Sequence, residues 1–205
     1  AVPVLAAAIL RVALGNLYQS ANGRYVALMG VFISALPTIV LPLWPTTPSY
    51  TLLLVLGILL GVGGASFAVA LPMAGSSYPA KVQGLVLGLA AAGNVGAVLD
   101  GFLFPHVADA LGWQYATAAA LPLLAFAGLA LFAWGDDRGE KAGSAPRALA
   151  GFATMLAGLV ALVLAVHAGL FGAGKTGVLL LPVLGAAGAI ALLPARYRSE
   201  ERRGG

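Results

Sequence analysis

Apolar residues run along this chain in long uninterrupted blocks, and short clusters of polar, glycine and proline residues cut the blocks apart. A bilayer core takes about 20 apolar residues as a helix. Seven blocks meet that measure: Val2–Leu17, Tyr25–Leu43, Thr51–Ala74, Gln83–Phe104, Trp113–Trp134, Leu149–Phe171 and Thr176–Leu193. The first is short and carries Arg11 inside it. Turn chemistry marks breaks at Gln19–Gly23, Trp44–Ser49, Ser76–Ala80 and His106–Gly112. Barrel strands would alternate in polarity over about 10 residues, whereas these blocks are apolar all round. Helices also leave no backbone group unsatisfied in lipid. The pattern predicts an all-α, polytopic transmembrane bundle of about seven spans. Asp136–Arg147 is the one long polar connection. It divides the chain into five helices over 1–134, a linker over 135–147, a helical hairpin over 148–195 and a basic tail over 196–205.

Composition narrows the class. Charged residues make up 9% of the 205 and hydrophobic ones 60%, against about 25% charged in a soluble domain. So few charges cannot coat a water-facing surface, which excludes an ordinary soluble enzyme, a disordered chain and a nucleic-acid binder. Without cysteine there is no disulfide framework and no thiolate metal site. The start at Ala1, apolar from the outset and without a basic leader region, predicts no signal peptide and a fragment or processed chain.

The 11 basic residues orient the spans. With the first helix running from outside to inside, the inner side holds Arg24, Lys81, Arg138, Lys141, Arg147, Arg196, Arg198, Arg202 and Arg203, and the outer side only Lys175. Nine against one follows the positive-inside rule. The basic balance therefore reports anchoring at the cytoplasmic face of the cell inner membrane, with a cytoplasmic C-terminus. Trp44, Trp113 and Trp134 fall at span ends, as interfacial anchors do.

Few residues within the spans can carry chemistry. An arginine at span depth, such as Arg11, costs about 2.5–3.5 kcal/mol on insertion scales. One reading is an anion site in an aqueous cavity, where the guanidinium fork suits a small planar oxyanion. The other is an arginine that snorkels or caps backbone carbonyls. In the fourth block Gly84, Gly88, Ala92 and Gly96 recur every fourth residue, a stripe that lets helix backbones approach closely. Asn94 lies off that stripe, and its amide could bond an anion or a neighbouring helix. The preceding block carries Gly57, Gly61, Gly63 and Gly64, then Ser66 and Phe67. No paired carboxylates, Ser/His/Asp set or Cys/His cluster stands out, so hydrolytic and metal chemistry lack residues and no enzyme, cofactor or metal is expected.

These residues fall in a recognisable order. Gly63-Gly64-Ala65-Ser66-Phe67-Ala68-Val69, Tyr78-Pro79, Gln83-Gly84, Gly88 and Ala92-Gly93-Asn94-Val95-Gly96 together resemble the NarK-type nitrate/nitrite porters of the major facilitator superfamily, whose fifth helix carries Gly-Asn-x-Gly. Gly15–Arg24 resembles the superfamily loop Gly-x-x-x-Asp-Arg-x-Gly-Gly-Arg, with Gln19, Ser20 and Asn22 at three of its signature positions. The resemblance covers residues 1 to about 134 and implies a partial major-facilitator fold, family helices two to six, without the first helix or the second half. It implies that Arg11 grips nitrate, that Phe67 packs against the anion, and that Gly93 and Asn94 complete the near side. The family's second arginine, from the other half, has no counterpart here. The function implied is secondary transport of nitrate and nitrite, by exchange or proton coupling. Another small solute, or a non-transporting membrane subunit, are the alternatives. The implied partners are the small anion, the lipid bilayer and the missing half.

Asp100 is the acid available for proton coupling; an interfacial acid reached by water is the other reading. His167, near the outer end of its span, is expected as an interfacial or packed residue, and His106 and Asp109 as solvated turn residues. Gly169–Thr176 fits the phosphate-loop pattern Gly-x4-Gly-Lys-Thr. That motif binds nucleotide only between a strand and a helix, so here it reads as a hairpin turn. The 148–195 hairpin matches no part of the family.

Overall fold

A computed structural model describes residues 2–137, 141 and 143–169 of the chain. Six segments in it are long and apolar enough to cross a membrane: Val2–Ser20, Gly23–Leu43, Tyr50–Ser77, Ala80–Leu111, Trp113–Trp134 and Ala145–His167. All regular structure among the described residues is helical. The protein is thus an all-α polytopic membrane bundle. The expected seventh span, Thr176–Leu193, and the Gly169–Thr176 motif beyond its first residue lie outside the described residues.

Helix α1 (Val2–Ser20) turns at Ala21–Asn22 into α2 (Gly23–Leu43), where the Asn22 side chain caps the new helix by accepting from the Arg24 N–H at 3.0 Å. The expected break at Gln19–Gly23 therefore shrinks to two residues, because one asparagine supplies the cap. Ser49 caps α3 (Tyr50–Ala65) in the same way, on the Leu52 N–H. The third span breaks at Ser66, whose hydroxyl donates to its own helix at the Gly63 carbonyl (2.6 Å), and resumes as α4 (Phe67–Ser77). Serines and threonines at depth satisfy themselves this way; Ser34 donates to the Gly30 carbonyl and Thr38 to that of Ala35.

Beyond Tyr78–Pro79 a short 3-10 turn, Ala80–Val82, leads into α5 (Gln83–Ala91), and the Gln83 amide donates back to the Gly75 carbonyl at 3.0 Å. A second 3-10 turn, Ala92–Asn94, separates α5 from α6 (Val95–Leu111). Here the expected turn at His106–Gly112 is corrected. His106 and Asp109 are helical, and the His106 ring nitrogen lies 2.7 Å from the Phe102 carbonyl one turn back. The helix stops only at Gly112, whose φ of 96° suits glycine alone. Replacing Gly112 with alanine is expected to cost about 1–3 kcal/mol through that backbone strain, read as a lower melting temperature in detergent.

The fifth span is α7 (Trp113–Ala118) and α8 (Leu121–Trp134), interrupted at Ala119–Ala120. Helix α9 (Ala145–His167) starts four residues earlier than the hydropathy pattern implies. Arg147, expected in the linker, is therefore in its first turn, because Pro146 suits the first helical positions.

The core lies where α1, α2, α3 and α9 meet, with Val69 of α4. Leu10, Leu14, Ile58 and Val62 are completely enclosed there, and α9 contributes Ala148, Phe152, Leu159 and Val163. At its far end the His167 ring lies 5.0 Å from that of Tyr50, both residues being exposed. Glycines bring α3 against two neighbours at once. A Cβ on Gly61 would stand 2.5 Å from the Ala6 Cβ and 2.6 Å from the Pro3 carbonyl oxygen, and one on Gly64 2.9 Å from the Ala7 Cβ. On the other face, a Cβ on Gly63 would be 3.1 Å from that of Ser34.

Candidate functional site

Arg11 sits midway along α1, exposed, on the side that meets α3. Its Nη2 donates to the Gly64 carbonyl at 3.4 Å, near the long limit of a hydrogen bond. That reach exists because α1 and α3 are in backbone contact at Gly61 and Gly64, one turn away along α1. A guanidinium carries five N–H donors in a planar fork, so one long contact to a carbonyl leaves most of its donor capacity. The contact itself is the carbonyl-capping one that position alone allowed as an alternative.

Phe67 starts α4, three residues beyond Gly64, and is half-buried. The structure thus brings Arg11 to the Gly64 carbonyl at the α1–α3 contact, while Ser66, next to Phe67, stands against Gly30 of α2.

Gly93 and Asn94 are elsewhere. They form the 3-10 turn between α5 and α6, both exposed, and Asn94 makes no hydrogen bond among the described residues. No described residue from 80 to 111 is buried. Added Cβ atoms on Gly84, Gly88, Gly93 and Gly96 would meet nothing within 4 Å, so the small-residue stripe faces open space. Asp100, on α6, is exposed and has no hydrogen bond or ion pair among the described residues. No group of three metal-ligating side chains occurs among them either.

Sequence reasoning missed the Gly64 carbonyl as the partner of Arg11. The available signal was the Gly61–Gly64 run, whose spacing permits backbone contact without naming the helix that makes it.

The geometry defines a polytopic helical membrane bundle with one arginine at mid-span on a glycine-lined helix pair. Comparison with known proteins narrows the class. Over 143 residues, 69% of this chain, it is 30% identical to proteins named "Probable nitrate transporter NarT" from Staphylococcus aureus strains JH9, Newman and USA300. The chain spans about a third of the length of these curated relatives, 36%. No family model matches the chain, and no solved structure does. With the motifs already described, this similarity is consistent with a part-length NarK-type transporter of the major facilitator superfamily. Its relatives are named as transporters and not as enzymes, and the chain itself is a multi-pass helical membrane protein.

Proposed function

We propose that this chain is part of a nitrate transporter and that Arg11 is its anion ligand. The observation that carries the reading is Arg11 itself: a guanidinium at mid-span, held at the Gly64 carbonyl three residues before Phe67, in a chain similar to proteins named as probable nitrate transporters. Nitrate is planar and singly charged, and a guanidinium fork can meet two of its oxygens in plane. Phe67 supplies an apolar wall, and Gly93 with Asn94 closes the near side once the 80–111 span packs inward. Gly84, Gly88 and Gly96, open in this chain, are the face on which that span packs only when the second half of the transporter is present. Nitrite is the exchange partner, consistent with the scarcity of carboxylates at depth; Asp100 is the group available if the transport is instead coupled to protons. The bundle sits in the cell inner membrane with its C-terminus cytoplasmic, by the nine-to-one distribution of basic residues. The 1–134 helices are the partial first half of the transporter, and a second half supplies the opposing wall for alternating access about a midplane site.

The test is nitrate binding to the detergent-purified chain, followed by thermal shift with chloride as the competitor. Stabilisation by nitrate and not by chloride is expected. Equal responses to the two anions would sink the assignment of substrate. A second reading, favoured by the Arg11–Gly64 contact, makes Arg11 a structural tie between α1 and α3. It predicts a loss of stability in Arg11→Gln with no change in anion response.

A further inference from the structure

The α1–α2 turn has no acidic residue anywhere from Gly15 to Arg24, yet a carboxylate sits at its centre. Asp137, just beyond α8, reaches back across 114 residues to accept from the Gly23 N–H at 2.5 Å. Its other oxygen accepts from the Tyr18 hydroxyl at 3.2 Å, and the Lys141 ammonium lies 2.5 Å away. The Asp137 side chain is 0% exposed and that of Lys141 26%. Lys141 in turn donates to the Tyr18 carbonyl at 3.0 Å, and its ammonium stands 3.7 Å from the centre of the Tyr18 ring. Further along the connection, a Cβ on Gly143 would stand 2.9 Å from the Ser20 hydroxyl. Alongside, Arg24 donates to the Phe132 carbonyl and lies over the Phe132 ring.

Each charge stands at the helix end that suits it. The carboxylate meets the free N–H groups at the start of α2, while Lys141 and Arg24 meet carbonyls near the ends of α1 and α8. An enclosed carboxylate with every partner in place is stable, and so is a fully hydrated one. A carboxylate that keeps its burial but loses a partner is costly. Such an arrangement favours two states, closed and open, over gradual loosening.

We propose that Asp137 and Lys141 form a latch between the end of α8 and the α1–α2 turn, so that this end of the bundle opens only when the latch is released. The latch does not depend on the anion reading, since it involves none of the residues assigned to the anion.

The chain contains no cysteine, so single cysteines report access without background. Ser20→Cys is half-buried with its side chain against Gly143, whereas Gln19→Cys, one residue away, is exposed. With the latch closed, a water-soluble maleimide is expected to label Ser20→Cys much more slowly than Gln19→Cys. Adding Asp137→Asn is expected to raise the Ser20→Cys rate by about tenfold or more while leaving Gln19→Cys unchanged, because local opening sets the rate at a covered site. Lys141→Gln weakens the latch from its other side and is expected to act in the same direction, which keeps the test decisive should Asp137→Asn fail to fold. Equal labelling at the two sites in the parent chain would overturn the proposal. So would latch variants that leave the ratio unchanged, or that raise both rates together as general loosening does.

Discussion

A Gly61→Val chain is expected to show the largest loss of stability of any single change considered for this bundle. Even alanine cannot enter without movement, because its Cβ would fall 2.5 Å from the Ala6 Cβ, 2.6 Å from the Pro3 oxygen and 3.0 Å from the Ala7 nitrogen. None of these is the flexible end of a side chain, so α1 and α3 must separate. Overpacking of this kind costs about 1–3 kcal/mol and occasionally more, and two backbone neighbours put Gly61→Val at the upper end. The damage spreads, since the same approach of helices lets Arg11 reach the Gly64 carbonyl. Thermal unfolding in detergent measures it, with Gly84→Ala and Gly88→Ala as controls. Those glycines face open space, and alanine is the better helix former by up to about 1 kcal/mol, so they are expected to be neutral or stabilising. A Gly61→Val chain that melts with the parent would mean that α1 and α3 do not meet at this point. Conversely, a clear loss in Gly84→Ala would mean that the small-residue stripe is packed after all.

The second large effect is on the anion. Arg11→Gln is expected to weaken nitrate binding by about 10- to 150-fold, the range for a hydrogen-bonded contact to a charged group worth about 1.5–3 kcal/mol. Arg11→Lys keeps the charge but loses the planar fork, and is expected to fall between the parent and Arg11→Gln. Titration of nitrate against the purified chain, with the melting temperature measured on the same samples, separates the two roles open to this residue. If Arg11→Gln binds nitrate as the parent does and only melts earlier, the guanidinium is a tie between helices, and the anion ligand must be sought elsewhere.

The amino-acid sequence by itself determined the class of this protein. Blocks such as Tyr25–Leu43 and Trp113–Trp134 are long enough to span a bilayer and too apolar to live in water, and no tertiary contact is needed to reach that conclusion. The ends of the helices were legible wherever a local group decides them, as at Ser49. They were misread where the decision is a backbone angle, as at Gly112. The helix runs through His106 and stops only at Gly112, because proline and histidine can both continue a helix once it is under way and a φ of 96° cannot. Its place inside an apolar span singled out Arg11, but only the fold supplied the Gly64 carbonyl opposite it, since pairing between helices depends on which glycine face meets which alanine face. Two stripes of small residues look alike in the sequence. The tertiary structure uses Gly61 and Gly64 at backbone contact and leaves Gly84 and Gly88 in the open, because spacing permits close approach without choosing a partner. Asp137 was no more than a linker acid in the sequence. Its partners Tyr18 and Gly23 lie more than a hundred residues away, and only folding carries a charge across that distance to the helix end that needs it.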